Sequence, residues 1–430
     1  SRADAVVSFD NAIGERLRGQ GLSVVDLSAG VQPRLHNPIR DRGHDGDIVT
    51  FSDLGRIGAG LRESASKIGL TSFPSSGRDG PVPSPALPDA RPDDLEWLPK
   101  RYKVAISPAG GQPWIDLAVA ATGTPIVSLA DGESVVDPEI VTAVPGADDA
   151  RSMLRLLVSS RDERTRRGHR AMRAAIRHHH IGRVADRVLE LAGAAVDPPS
   201  LPHVTITAPT NRPDHLETIL ENVGRQTYPQ LDLLLVAHGF SPDESKLRDL
   251  AVARGIPEVD VIRVPEDVVA GEVFNRGFRE ARGALIAKMD DDDWYGPEYL
   301  WDQVDAVGFS GAHVVGKWAH YAYIESLDST VLRFAKHEHE YRDVLAISTL
   351  LMRREVFETA EFPPMPYGAG SVFLRELMAL GCRLYSADRF NYLYHRYSRA
   401  AHHTFPTSDL HLAANARTIG HGYTTAVAEV

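Results

Sequence analysis

What the chain lacks narrows its chemistry first. One cysteine, Cys382, stands among 430 residues, so no internal disulfide can form and no cysteine-based zinc site can be built. Such sparse use fits a reducing compartment, and the sequence reads as cytoplasmic. Basic residues are in deficit, with 47 Lys and Arg against 58 Asp and Glu and a formal net charge of −11. A general nucleic-acid binder needs a basic face to neutralise phosphates, so no nucleic-acid partner is expected. Long apolar runs are missing too. The longest, "LDLLLVAHG", falls far short of the roughly 20 residues that cross a bilayer, which leaves at most peripheral membrane association. Three common catalytic signatures are also absent: a Walker A loop, an H-E-x-x-H helix and a G-x-S-x-G elbow.

What is present divides into two patterned regions. The run "AGAAVDPPSLPHV", with three prolines, has linker composition. It sets expected bounds of 1–193 for a first region, 194–202 for a linker and 203–407 for a second region. Residues 408–430 read as a tail. A Pro, Ser and Gly-rich stretch from Thr71 to Asp94 reads as a long surface loop.

Both regions alternate short strand-like runs with amphipathic helices. "YKVAISPA", "TPIVSLA", "HVTITAP", "LDLLLVA", "VDVIRVP" and "ALIAKM" read as strands, and "WIDLAVAAT" and "PDHLETILENVGRQ" as helices. "ADDARSMLRLLVSSRDERTRRGHRAMRAAI" reads as one long helical stretch. Such alternation predicts an α/β class with mainly parallel sheets, which bind ligands at the carboxyl ends of their strands.

The densest chemistry is "IAKMDDDDWYGPEYL", four adjacent aspartates after a buried-type strand. In an extended segment residues two apart point the same way, so Asp290 and Asp292 can converge on one hard divalent cation, Mg or Mn. A solvated acidic turn that caps the next helix is the plainer alternative, and the strand before it with the Gly-Pro turn after it favours the cation. Elsewhere the plainer readings hold. The run His178 to His180 reads as a capping corner between helices, "HEHEY" as a polar loop or strand, and Cys382 as a small buried hydrophobe.

From these motifs a resemblance follows. "VTITAPTNRPDHLETILENVGRQTYPQLDLLLVAHG" and "FNRGFREARGALIAKMDDDDWYGPEYL" resemble the opening and the D-x-D stretch of family 2 glycosyltransferases of the GT-A fold. "YSADRFNYLYHR" and "HHTF" resemble the end of one subgroup. The resemblance implies a GT-A domain, a Rossmann-like mixed sheet flanked by helices, and an inverting transferase. Its donor would be a nucleotide-sugar, with UDP foremost, and its acceptor a glycan, a lipid-linked carrier or a small molecule. By the same resemblance Thr210, Asn211, Arg212 and His238 lie beside base and ribose, and Asn275 and Lys288 flank the donor. Asp291 reaches sugar or ribose, and Asp290, Asp292 and His403 hold the metal. Asp293, last of the run, reads as the cap of the helix that follows.

The acceptor half departs from the family pattern. "YGAGSVFLREL" places Gly370 and Ser371 where an acid and a threonine are expected, which leaves Glu376, Asp343 or Glu338 as substitutes for the base. A protein that binds nucleotide-sugar as a sensor or scaffold is therefore the alternative. The first region, through "YKVAISPAGGQPWIDLAVAATGTPIVS", resembles the carboxyl-terminal lobe of CgeB-like GT-B glycosyltransferases, with Asp116 an imperfect stand-in for their ribose-binding glutamate.

Overall fold

A computed structural model describes residues 6–8, 17–20, 23–26, 30–39, 43–73, 92–109, 111–130, 137–192, 200–398 and 407–430. The chain forms two compact units that divide after Pro199, within the stretch read as linker. Most of the Thr71–Asp94 loop lies outside the described residues.

In unit 1 two short strands, β1 (Val6–Ser8) and β2 (Val24–Asp26), pair in parallel. The main sheet is all parallel. It contains β3 (Gly46–Thr50), β4 (Leu70–Ser72), β5 (Tyr102–Ile106), β6 (Ile126–Leu129) and β7 (Val141–Val144), in the order β4-β3-β5-β6-β7. Counted from β3, this is the doubly wound order 2-1-3-4-5. Helices α1 (Ala59–Ile68), α2 (Pro113–Ala121), α3 (Ala147–Ser159), α4 (Arg161–His178) and α5 (Ile181–Leu191) complete the unit. Ile48, Leu61, Val104, Val127 and Leu154 are fully buried in its core. Strands covered on both faces must be apolar throughout, which is why "YKVAI" and "PIVSL" show no alternation.

The stretch read as one long helix is two. Ser160 is extended and its side chain accepts a hydrogen bond from the Glu163 amide at 3.2 Å. That is the S-x-x-E capping signature, and it restarts the helix at Arg161. The histidine corner is as expected, since His180 caps α5 by accepting from the Gly182 amide at 2.9 Å.

Asp116, in the first turn of α2, is 3% exposed. One carboxylate oxygen accepts from the Ser107 hydroxyl at 2.9 Å and from the Gln112 amide at 2.6 Å. It ties the end of β5 to the start of α2, and both bonds are internal rather than aimed at a ligand. Burial pushes its carboxyl up to about 6 from the ordinary 3.8. The folded state therefore holds the proton more tightly than the unfolded chain does. The stabilising contribution is complete below about pH 4 and is lost as pH rises through about 6. Asp116→Asn keeps an acceptor oxygen and no charge. It is expected to raise unit 1 stability by about 2–3 kcal/mol at pH 8 and by little at pH 4. Thermal unfolding at the two pH values checks this, and destabilisation at pH 8 would refute it.

Unit 2 is built on an eight-stranded mixed sheet. Its strands are β8 (Val204–Thr210), β9 (Leu231–His238), β10 (Val259–Val264), β11 (Leu285–Lys288), β13 (Val314–Gly316), β16 (Glu340–Tyr341), β17 (Leu351–Arg353) and β18 (Leu384–Ser386). The order is β10-β9-β8-β11-β17-β13-β18-β16, and the first four strands are mutually parallel. A five-stranded sheet, β12-β19-β14-β15-β20, is formed by β12 (Trp294–Tyr295), β14 (His320–Ile324), β15 (Ser329–Arg333), β19 (Tyr392–Arg396) and β20 (Ala416–His421). Helices α6 (Leu216–Gly224), α7 (Glu244–Ala253), α8 (Ala270–Glu280), α9 (Tyr299–Ser310), α10 (Ala369–Ala379) and α11 (Asp409–Ala414) belong to this unit.

Trp294 and Tyr295, just before the Gly-Pro turn, pair antiparallel with β19. Residues 408–430 are not a tail: α11 leads into β20, which pairs antiparallel with β15, and Ala428 is fully buried beside Leu393 and Phe390. "ARTIGHGYTT" has little apolar alternation, so its strand is set by a partner some 90 positions away rather than by local propensity.

Candidate active site

The parallel register places the site. Ala287 pairs with Ile206 and Lys288 with Thr207, so three further residues bring Asp291 level with Thr210, the end of β8. The two meet there: the Thr210 hydroxyl donates to Asp291, and Arg212 donates to the same carboxylate through Nε at 3.0 Å and through Nη2. Nη2 also reaches Asp292 at 2.9 Å. Asp290 is paired with Lys288, which is 2% exposed and lies 4.8 Å from the Phe274 ring centroid.

Asp293 turns inward. It accepts from the Tyr392 hydroxyl at 2.6 Å and from the His395 amide at 2.9 Å. The Tyr392 hydroxyl also lies 2.6 Å from Ser348 Oγ, and Tyr295 donates to the Ser348 carbonyl at 2.8 Å while accepting from the Asp290 amide. A chain of hydroxyls therefore braces both ends of the aspartate run.

One carboxylate oxygen each from Asp290, Asp292 and Asp293 lies within 4.8 Å of the other two. Crowded buried acids resist ionisation. Burial, and then the Asp291 charge, push Asp292 up to about 6 against the opposing pull of Arg212. Burial and the charges of Asp292 and Asp290 push Asp293 well above the usual carboxylate range. Four carboxylates face two cationic side chains, Lys288 and Arg212. With all four ionised two negative charges would be left over, and hard oxygen donors of that kind fit one divalent cation such as Mg²⁺ or Mn²⁺.

Several expected roles change. Asp293 does not cap a helix, because α9 starts at Tyr299 with Glu298 as its N-cap; it joins Asp290 and Asp292 instead. The Asp291 carboxylate accepts from Thr210 and Arg212. Lys288 neutralises Asp290. Asn275 is 2% exposed and exchanges two hydrogen bonds of 2.8 Å with the Phe362 backbone, so it fastens that loop rather than flanking a ligand. Asn211 is exposed at the end of β8, and His238, at the end of β9, lies 3.1 Å from the Glu266 carbonyl. His403 falls outside the described residues. Tyr392 had no sequence signal, since its bond to Asp293 spans 99 positions.

Each of the three base candidates has surroundings of its own. Glu376 lies on the exposed face of α10, whose buried face carries Ala369, Gly370, Phe373, Leu374 and Leu377. Asp343 is exposed and 3.8 Å from Arg342, and Glu338 is buried in a pair with Arg389. In "HEHEY", His337 pairs with Glu340 at 2.7 Å, a local polar contact. At Gly370 a Cβ would meet three Ile347 side-chain carbons at 2.6–2.7 Å. Ile347 thus fills the space where the family pattern places an acid. Gly370→Ala is expected to cost about 1–3 kcal/mol through overpacking. Adding Ile347→Ala should return most of it, as urea denaturation of the single and double variants would show. Two costs that simply add would contradict the contact.

An α/β domain whose acidic cluster ends the central parallel strand is organised as a GT-A domain. Residues 206–379 match the model of Glycosyl transferase family 2. The chain is 31% identical over 103 residues to EpsH of Bacillus subtilis (strain 168), a glycosyltransferase by name, a match spanning 24% of this chain and 29% of EpsH. Among solved structures it resembles the mannosyltransferase PcManGT of Pyrobaculum calidifontis in complex with GDP-Man and Mn²⁺, at 19% identity and a TM-score of 0.37. That likeness covers 48% of this chain and 60% of the other. It also resembles S. aureus TarS 1-349 in complex with UDP-GlcNAc, at 13% identity and a TM-score of 0.37, over 48% and 61% of the two chains.

Proposed function

We propose that unit 2 transfers a sugar from a nucleotide-sugar donor, with UDP foremost, to a glycan, lipid-linked or small-molecule acceptor, with inversion at the anomeric carbon. The observation that carries this reading is the convergence of Asp290, Asp292 and Asp293 at the end of β11, inside the family 2 segment. A divalent cation held by these three carboxylates would supply Lewis-acid charge to the diphosphate leaving group. The chain's own contribution is placement. Thr210 and Arg212 lock Asp291, Lys288 balances Asp290, and Tyr392 with the His395 amide fixes Asp293. The ends of β8 and β9, with Asn211 and His238, are where the nucleotide would lie. His403 is kept as a further candidate for the metal or diphosphate. Unit 1 is read as a GT-B-like lobe, on its 2-1-3-4-5 parallel sheet. Among the described residues no helix is long and apolar enough to cross a membrane, and the single cysteine supports a cytoplasmic setting.

A second reading has one observation in its favour: the filled position at Gly370. A domain without a base beside the anomeric carbon would bind donor as a sensor or scaffold without transferring sugar. Incubation with UDP-, GDP- and dTDP-sugars in Mn²⁺ separates the two. Slow release of nucleoside diphosphate from at least one donor is the outcome expected of a transferase. Donor binding without any release would contradict transfer and leave the sensor.

A further inference from the structure

Four aromatic rings meet beside the aspartates, on the five-stranded sheet rather than at the parallel strand ends. His395 is central. Tyr397 stacks on it with ring centroids 3.8 Å apart at 15°, and Tyr423 lies 5.5 Å away at 30°. Tyr323, register partner of His395 across β14 and β19, meets His395 and Tyr423 edge-on at 5.4 Å each. Two contacts join this cluster to the acidic site. The His395 amide donates to Asp293, and Tyr397 lies 6.5 Å from the ring of His215, whose Nδ1 is 3.1 Å from the Asp291 carbonyl.

Tyr423 is deliberately placed. Gly422 has φ +80, a conformation that favours glycine, and it is held on both sides: its amide donates to the Asp328 carbonyl at 3.1 Å and its own carbonyl accepts from the Thr330 hydroxyl at 2.6 Å. The backbone is fixed, yet the Tyr423 ring stays 48% exposed. A half-open ring face beside a polar site is an amphipathic surface, apolar on its face and hydrogen-bonding at its rim. The C–H face of a pyranose matches it.

We propose that Tyr397 and Tyr423, set around His395, form a platform for the pyranose ring of the acceptor. This rests on the transferase reading. The nucleotide is then assigned to the ends of β8 and β9, and the platform flanks Asp293 on the other sheet, at the sugar end of the site.

The test uses the full chain with methyl β-glucopyranoside, methyl α-mannopyranoside and methyl β-N-acetylglucosaminide as probes. Saturation-transfer NMR is recorded with Mg²⁺, with and without UDP. Saturation of the ring C–H protons of at least one glycoside is expected, falling about fivefold in Tyr423→Ala and holding in Tyr423→Phe. The melting-temperature shift caused by UDP with Mn²⁺ should be the same in all three proteins, which a role confined to anchoring β20 would not predict for the glycoside signal. No saturation of any glycoside, or loss of the uracil signal of UDP instead of a sugar signal in Tyr423→Ala, would overturn the platform. Absence of the UDP shift in the wild type would overturn the donor reading, while the glycoside spectra without UDP still decide the platform.

Discussion

Replacing Asp292 by alanine is expected to abolish any stabilisation by UDP with Mn²⁺, and to lower donor turnover by about 10²–10³-fold. Asp292 is the member of the cluster whose carboxyl is pushed up to about 6, by burial and then by the Asp291 charge. It gains most from a cation and loses most without one. The variant is expected to fold. Arg212 keeps its two bonds to Asp291, and one of four crowded acids is relieved. The melting temperature without ligand should therefore hold or rise, even though the ligand-induced shift disappears. Differential scanning fluorimetry reads both effects in one experiment. An unchanged UDP shift in Asp292→Ala would remove this residue from the site.

The largest stability effect is expected away from the aspartates. Lys317 and Asp388 follow β13 and β18 at the carboxyl ends of two parallel strands, and both side chains are almost wholly buried, at 0% and 2% exposure. Their charges meet at 2.9 Å. The Lys317 ammonium also donates to the Asp388 carbonyl at 3.1 Å and lies 5.7 Å from the Tyr299 ring. Asp388 further accepts from the Phe390 amide at 2.7 Å. Removing only the acid strands a buried ammonium, so Asp388→Ala is expected to cost about 3–5 kcal/mol. Removing the charges together costs far less. Lys317→Met with Asp388→Asn should fall within about 1–2 kcal/mol of the wild type, because the Phe390 amide keeps its acceptor and both charges of the pair go together. Urea denaturation followed by the fluorescence of Trp294, Trp301 and Trp318 measures both. A double variant as unstable as Asp388→Ala would show that the pair's cost lies elsewhere.

Local pattern made much of unit 2 legible. Leu216, Ile219, Leu220 and Val223 mark one face of α6, and the buried run before Asp290 marks β11. Both signals depend on neighbours a few residues apart, where periodicity carries the information. The site was legible to the same depth. Strand alternation brought Asp290 and Asp292 together on paper, but the chain leaves the strand at Lys288, and the turn that follows adds Asp293. The family pattern makes Asn275 and Lys288 donor contacts, whereas the structure pairs them with Phe362 and Asp290. The filling of Gly370 by Ile347, the Tyr392 brace on Asp293 and the return of β20 to β15 are meetings of distant segments. Nothing in the short-range spacing of either partner announces them.

The central claim is that the aspartate cluster binds a nucleoside diphosphate through a divalent cation. Isothermal titration of the full chain with UDP, in the presence and absence of Mn²⁺, tests it most directly. The account predicts heat of binding only when the metal is present, and none for Asp292→Ala. Equal binding of UDP with and without metal, or no binding of UDP, GDP or dTDP under either condition, would contradict it.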